Sequence, residues 1–205
     1  MENKSDYFED LKVIKKVMEE SSRFLSLSGL SGIFTGIIAI AGAVFAVYFI
    51  LGGSFLLEPG TFLAHSMKLK LVLLAGLLLI SALGISVYLS YRKSVRNSLK
   101  IWTPVSKRLL INLFIPMLTG GLLVLILYFR QHWQYVLPGM LIFYGLGLVN
   151  AGKFTFGEVF YLGLLEIITG LLAAIFPVYG IIFWCFGFGL LHIIYGLVMY
   201  RKYER

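Results

Sequence analysis

The sequence predicts an all-α integral membrane protein, with six transmembrane helices arranged as three tandem helical hairpins and an amphipathic helix before them. Hydrophobic residues make up 59% of the 205 residues and charged residues only 14%, whereas a soluble domain usually carries about 25% charged residues. Six apolar runs are long enough to cross a hydrocarbon core of about 30 Å as helices. Pairs of threonine and glycine recur in three of these runs, which indicates an internal repeat.

The six runs form one membrane domain, predicted over residues 23–205. Only the first 22 residues and the stretch 91–107 are clearly hydrophilic, so little sequence remains for a soluble domain. The spans are predicted at about 24 to 51, 68 to 90, 107 to 129, 133 to 152, 157 to 176 and 179 to 200.

Residues 1–22 are predicted to form a cytoplasmic amphipathic helix before the first span. Tyr7, Leu11, Ile14 and Met18 recur at helical spacing, and charged side chains occupy the rest of the circumference. This pattern is typical of a helix that lies on the membrane surface. We favour an interfacial anchor over a regulatory docking helix.

The distribution of positive charge predicts the orientation of the chain. With a cytoplasmic N-terminus, fifteen of the 18 lysines and arginines lie on the inner side, and only Lys68, Lys70 and Arg130 lie outside. Short cytoplasmic loops carry such an excess in plasma-membrane proteins, so both termini are predicted to be cytoplasmic. Topology therefore accounts for the net charge of +8 without a nucleic-acid partner. Membrane lipids are the predicted partners, and the loop at 91–107 could also bind anionic headgroups or an acidic partner.

The threonine-glycine pairs predict a packing element near the middle of three helices. Each pair lies about ten residues from the inner end of its span, roughly 15 Å along a helix. Helices in lipid associate through close backbone approach at small residues, so we expect these positions to contact neighbouring helices. The pairs are Thr35 and Gly36, Thr119 and Gly120, and Thr169 and Gly170.

The last hairpin resembles the HdeD-type acid-resistance membrane proteins. The resemblance rests on a small residue before glycine in the first helix, Pro177 at the outer turn in "LLAAIFPVYG", and the inner end "YGLVMYRK". It covers mainly Leu162 to Lys202, because the first hairpin has a longer loop and the second carries Pro116 inside a helix. The resemblance implies a small six-helix inner-membrane protein linked to stress resistance, with no catalytic site to carry over.

Glu166 and His192 are the candidate intramembrane polar pair. They lie about 15 Å and 13 Å from the inner boundary on neighbouring antiparallel spans, so a contact between them is expected. An ionisable residue at this depth usually turns inward and finds a partner. Three interpretations stay open. The pair is a structural contact with a neutral Glu166, a protonatable couple on a proton or solute path, or a metal or catalytic site; we favour the first.

Four polar residues near the inner ends of the spans form a second candidate site. Lys153 and Glu158 flank a short turn, which favours a solvated ion pair at the interface. Asn112 lies inside the third span and Asn150 near the same level, so the alternative is an inner vestibule lined by all four residues.

Motifs for enzymatic chemistry are thin, and the sequence predicts no enzyme, cofactor or metal site. The single cysteine, Cys185, excludes an intrachain disulfide and a CxxC metal site. No phosphate-binding loop, zinc-protease motif or dinucleotide fingerprint occurs. The leading hypothesis is a non-enzymatic inner-membrane protein of stress-related or structural type that acts with itself or another membrane protein. The alternative is a small channel or proton-linked transporter with a path past Glu166 and His192.

Overall fold

The computed structural model describes residues 24–56 and 64–205, and every regular element within these ranges is helical. The amphipathic helix predicted over residues 1–22 lies outside the described residues. The five long helices that come first along the described chain are α1 (Gly29–Phe49), α2 (His65–Arg96), α3 (Pro104–Phe129), α4 (Val136–Ala151) and α5 (Gly157–Ile175).

The sixth span is built from three helical pieces that follow one another directly. Helix α6 (Gly180–Trp184) leads into a π-helical segment (Cys185–Leu191), and α7 (His192–Tyr203) completes the span. Short 3₁₀ turns also flank the helices, at Trp133–Tyr135, Gly152–Phe154 and Pro177–Tyr179.

Six helices within the described ranges are long and apolar enough to cross a membrane. This confirms the all-helical fold class and supports a multi-pass membrane protein. The observed helix bounds differ most from the predicted spans at α2. This helix continues to Arg96, whereas the sequence predicts that the span ends near residue 90. A helix does not have to end where its apolar run ends, because its last turns can extend into the polar headgroup region.

Local sequence explains where α3 and the turn after α1 are placed. The side chain of Thr103 accepts a hydrogen bond from the Ser106 amide, Ser106 bonds back to Thr103, and Pro104 occupies the first helical position. This capping box satisfies amide groups that a helix leaves free at its start. After α1 the chain turns through Gly52 and Gly53, whose φ angles of 78° and 94° favour glycine.

One end of the bundle, which we call the basic end, collects the start of α1 and the ends of α2 and α7. There the amide of Phe24 donates to the carbonyl of Phe154 at 2.7 Å, and the Thr155 hydroxyl donates to the Phe24 carbonyl at 2.7 Å. At the opposite end the Tyr128 hydroxyl donates to the Lys68 carbonyl at 2.5 Å. The helices therefore alternate in direction along the chain.

Pairs of glycines bring two sets of helices into backbone contact. A Cβ added to Gly145 in α4 would lie 2.6 Å from the carbonyl oxygen of Gly163 in α5, and one added to Gly196 in α7 would lie 2.6 Å from that of Gly29 in α1. These contacts need glycine on both sides. Helix α1 also packs against α2, and α3 against α4, whereas α2 and α3 scarcely touch. A core cluster at Leu148, Val159, Leu162 and Leu191 completes the packing.

Candidate functional site

Three helices place polar side chains together inside the bundle, in what we call the Glu166 cluster. Glu166 lies in α5, His192 begins α7, and Tyr144 lies in α4. Glu166 is fully buried, with 0% of its surface exposed, and His192 is 6% exposed. The structure therefore brings together the two residues of the candidate pair and adds a tyrosine.

The imidazole of His192 contacts a different group on each side. Its Nδ1 atom lies 3.1 Å from the carbonyl oxygen of Gly187 and 3.3 Å from Oε1 of Glu166, while its Nε2 atom lies 2.8 Å from the hydroxyl of Tyr144. A carbonyl can only accept, so Nδ1 carries a proton and donates to Gly187. In the neutral ring Nε2 then accepts from Tyr144, and the geometry selects one tautomer.

The carboxyl group of Glu166 lacks hydrogen bonds within the described residues. Oε1 lies within ion-pair distance of His192, but neither carboxyl oxygen has a partner with hydrogen-bond geometry. A buried polar group without a partner costs about 1 to 3 kcal/mol, and a charged one costs more. The pair has two states without net charge. One is a carboxylic acid beside a neutral imidazole, and the other is a carboxylate beside an imidazolium. Both states contain the same number of protons and differ only in which of the two side chains carries the shared one.

Glycine at position 187 makes room for this carboxyl group. A Cβ added to Gly187 would lie 2.5 Å from Oε2 of Glu166 and 2.5 Å from Cδ2 of Leu141. Gly187 lies in the π-helical segment that ends directly before His192. Such π-helical turns are rare and occur frequently at functional sites.

An aromatic column runs along the sixth span beside the cluster. The rings of Trp184 and Phe188 are 5.1 Å apart and those of Phe188 and His192 are 5.9 Å apart, with Tyr144 at 5.0 Å from Phe188. The indole Nε1 of Trp184 is buried and, within the described residues, has no hydrogen-bond acceptor. A third polar atom without a partner, besides the two carboxyl oxygens of Glu166, therefore lies on the sixth span, which also carries His192.

The four candidate vestibule residues make mostly separate contacts. The side chain of Asn112 donates to the carbonyl of Arg108 in its own helix at 2.8 Å, and Lys153 Nζ lies 3.5 Å from Asn150 Oδ1. Glu158 pairs with Lys202 of α7 at 2.6 Å, so the ion pair expected between Lys153 and Glu158 is replaced by one between helices.

The threonine-glycine pairs share one local geometry but differ in their neighbours. Each threonine hydroxyl donates to the carbonyl four residues earlier, at 2.7 to 2.9 Å. A Cβ added to Gly36 would meet Gly189 in the sixth span, whereas at Gly120 or Gly170 it would meet Phe143 or Ile142 in α4. The glycines of the pairs thus lie at helix contacts, two of them against α4.

Sequence reasoning missed a polar cluster at the basic end, which we call the Glu204 cluster. Oε1 of Glu204 accepts from the Gly29 amide at 2.6 Å and from Lys93 Nζ at 3.1 Å, and Lys93 also donates to the Leu27 carbonyl at 2.6 Å. The side chains of Lys93 and Glu204 are each 9% exposed. Residues 29 and 204 are far apart in sequence, so no local signal pairs them.

Within the described parts of the chain, no three histidine, cysteine, aspartate or glutamate side chains converge as metal ligands. Comparison with protein-family models, curated proteins and solved structures finds no match for the chain.

Proposed function

We propose that the chain is a non-enzymatic, multi-pass plasma-membrane protein of structural or stress-related type, in which the Glu166 cluster joins α4, α5 and the sixth span. The observation that carries this proposal is the complete burial of Glu166 beside the His192 ring, at 3.3 Å. An intramembrane carboxyl group without water contact suits a structural contact between helices better than an open path.

The cluster also supports the stress-related part of the proposal. Its neutral states hold one shared proton, so losing it or gaining a second leaves a net charge in a site without solvent contact. Such a charge is costly, and the packing of three helices therefore depends on proton availability. The resemblance of the last hairpin to HdeD-type acid-resistance proteins points in the same direction.

The test is the pH dependence of stability in the variant Glu166→Gln. Glutamine keeps the shape of the carboxyl group but cannot exchange the proton, so the variant should stay folded and lose part of the pH dependence of its unfolding free energy. Unfolding by sodium dodecyl sulfate in mixed micelles, followed by circular dichroism between pH 5 and 8, measures it.

The matched control is Glu158→Gln, which removes a partly exposed carboxylate from the same helix. The pH profile of the unfolding free energy in this control should differ from the profile of Glu166→Gln. An unchanged pH profile in Glu166→Gln contradicts the proposal.

A second candidate function is a small channel or proton-linked transporter with a path past Glu166 and His192. The observation that favours it is the set of buried polar atoms without partners in the described chain, at Glu166 and Trp184, because water or a permeating ion would satisfy them. In liposomes, wild-type protein should then carry a pH-dependent flux that Glu166→Gln abolishes. Unchanged flux in this variant, or no flux in wild type, excludes the candidate.

The finer architecture belongs to the same proposal. We infer three tandem hairpins that all enter from the cytoplasm, with both termini cytoplasmic and residues 1–22 as an interfacial anchor. The packing of α1 with α2, of α3 with α4, and of α5 with the sixth span supports the hairpins. Labelling of single cysteines placed at Lys70 and Lys100 in intact cells tests the orientation, since only the first should react with an impermeant reagent.

A further inference from the structure

A cleft separates α2 from α3, although these helices are consecutive along the chain. They meet at the end opposite the basic end, where Tyr128 binds the Lys68 carbonyl, but scarcely touch along their lengths. Within α2 only Ser94 is buried. A Cβ added to Gly76 or Gly84 would meet no atom within 4 Å, so the middle of α2 is open toward its surroundings.

A contact between two glycines of different helices occurs twice elsewhere in the bundle and is missing at the cleft. In the proposed repeat Gly84 corresponds to Gly145 and Gly196, each of which meets a glycine of another helix. Those partners, Gly163 and Gly29, lie seven residues before the glycine of a threonine-glycine pair. The same position in α3 is Leu113, whose side chain packs against the core cluster. The close approach that two glycines allow is therefore not available between α2 and α3.

The open surface of α2 is apolar and continues toward the basic end. Four of its exposed side chains recur at helical spacing around Gly84. They are Leu77, Ile80, Val87 and Tyr91, at 62%, 71%, 69% and 57% exposure. Gly84 lies in the middle of this surface, about 12 Å along the helix axis from Arg92. That distance fits within one leaflet, whose hydrocarbon is about 15 Å thick.

Positive charge collects where the cleft reaches the basic end. Five exposed cations lie on the last turns of α2, the connecting loop and the first turns of α3, and within the described residues none of them has an acidic partner. They are Arg92, Arg96, Lys100, Lys107 and Arg108. The exposed Trp102 in the same loop is a typical residue of the membrane interface.

We propose that the α2–α3 cleft binds an anionic phospholipid of the leaflet at the basic end. The five cations bind the headgroup phosphate, and one acyl chain lies in the cleft against Gly84. The positive-inside rule requires cations on this side of the membrane, but it does not require them at the mouth of an apolar cleft. Arginine and lysine clusters at a helix end attract anionic headgroups, and an acyl chain covers apolar surface that no described helix covers.

Native mass spectrometry of the full chain with equimolar phosphatidylglycerol and phosphatidylcholine of identical acyl chains tests this site. Wild type should retain phosphatidylglycerol preferentially, and Arg92→Gln with Arg96→Gln should weaken this retention by about tenfold or more. The control Lys70→Gln with Arg130→Gln removes two cations near the opposite end and should leave the preference unchanged.

The acyl-chain part of the site has its own variant and its own control. Gly84→Leu fills the cleft and should reduce phosphatidylglycerol retention, whereas Gly157→Leu, at another glycine with no atom within 4 Å of an added Cβ, should not. If Gly84→Leu does not fold, the acyl-chain contact is tested on the wild-type protein with ligands that differ in chain length. Dihexanoyl phosphatidylglycerol should bind more weakly than the long-chain lipid, and glycerol phosphate should not compete.

Four results would overturn the proposal. They are equal retention of the two lipids, equal losses in the two charge variants, displacement of the lipid by glycerol phosphate, and a protein dimer that Gly84→Leu dissociates without any lipid preference. The last result would assign the open surface of α2 to a second copy of the chain.

Discussion

Glu204 should contribute more to stability than Glu158, although Glu158 lies closer to its lysine. The Glu204 carboxylate accepts from the Gly29 amide at 2.6 Å and from Lys93 at 3.1 Å, whereas Glu158 lies 2.6 Å from Lys202. Both side chains of the first pair are 9% exposed, but Lys202 is 58% exposed. The perturbation is Glu204→Gln, with Glu158→Gln as its control.

The expected magnitude follows from the bonds that lose their charge. A hydrogen bond to a charged group contributes about 1.5 to 3 kcal/mol and a neutral one about 0.5 to 1.5 kcal/mol. The amide oxygen of a glutamine can still accept from Gly29, so this bond weakens without being lost. The variant also loses a negative charge at the start of α1, worth about 0.3 to 1 kcal/mol. Together these losses predict a destabilisation of about 2 kcal/mol.

Unfolding by sodium dodecyl sulfate in mixed micelles, followed by circular dichroism, measures both variants against wild type. Glu158→Gln should change the unfolding free energy little, because solvent screens an exposed ion pair and holding its long side chains in place costs entropy. If Glu158→Gln destabilises the protein as much as Glu204→Gln does, burial and the bond to the helix start do not decide the contribution. An effect of Glu204→Gln below about 0.5 kcal/mol would likewise refute the reasoning.

Two further substitutions test the Glu166 cluster in the same unfolding assay. Gly187→Ala should destabilise the protein by about 1 to 3 kcal/mol, because the new Cβ would meet Glu166 and Leu141; Gly84→Ala, with no atom within 4 Å, should not. Tyr144→Phe should cost about 1 kcal/mol through loss of the bond to His192 Nε2, and Tyr161→Phe at an exposed position serves as its control. Equal effects of either substitution and its control would contradict the geometry.

The six helices could be predicted because the membrane leaves the chain few choices. Backbone groups in lipid must bond internally, so an apolar run of about 20 residues forms a helix. The sequence could not show that residues 24–28 precede α1 without helical structure. That stretch is held by distant partners, among them Thr155 and Lys93, which no local pattern reveals.

The proximity of Glu166 and His192 could be expected because a helix rises by a fixed amount per residue. Two polar residues at equal depth on neighbouring spans then have a good chance of contact. Tyr144 lies about 12 Å deep by the same count, but one tyrosine among 12 does not stand out as Glu166 does, because its side chain is largely apolar. The π-helical segment Cys185–Leu191 was missed for a related reason, because its apolar residues fit an α-helix equally well.

His192 contacts α1 on one side of the sixth span and α5 on the other, and these two contacts limit how far the sixth span can move. Gly32 of α1 aligns with Glu166 of α5 in the proposed repeat. A Cβ added to Gly32 would lie 3.1 Å from the backbone oxygen of His192, while Glu166 faces the imidazole ring. The backbone of His192 thus packs against α1 and its ring against α5. Close packing leaves the sixth span little room to move away from Glu166 without disturbing α1, so a substitution that displaces the His192 ring should change the contact between α1 and α7 as well.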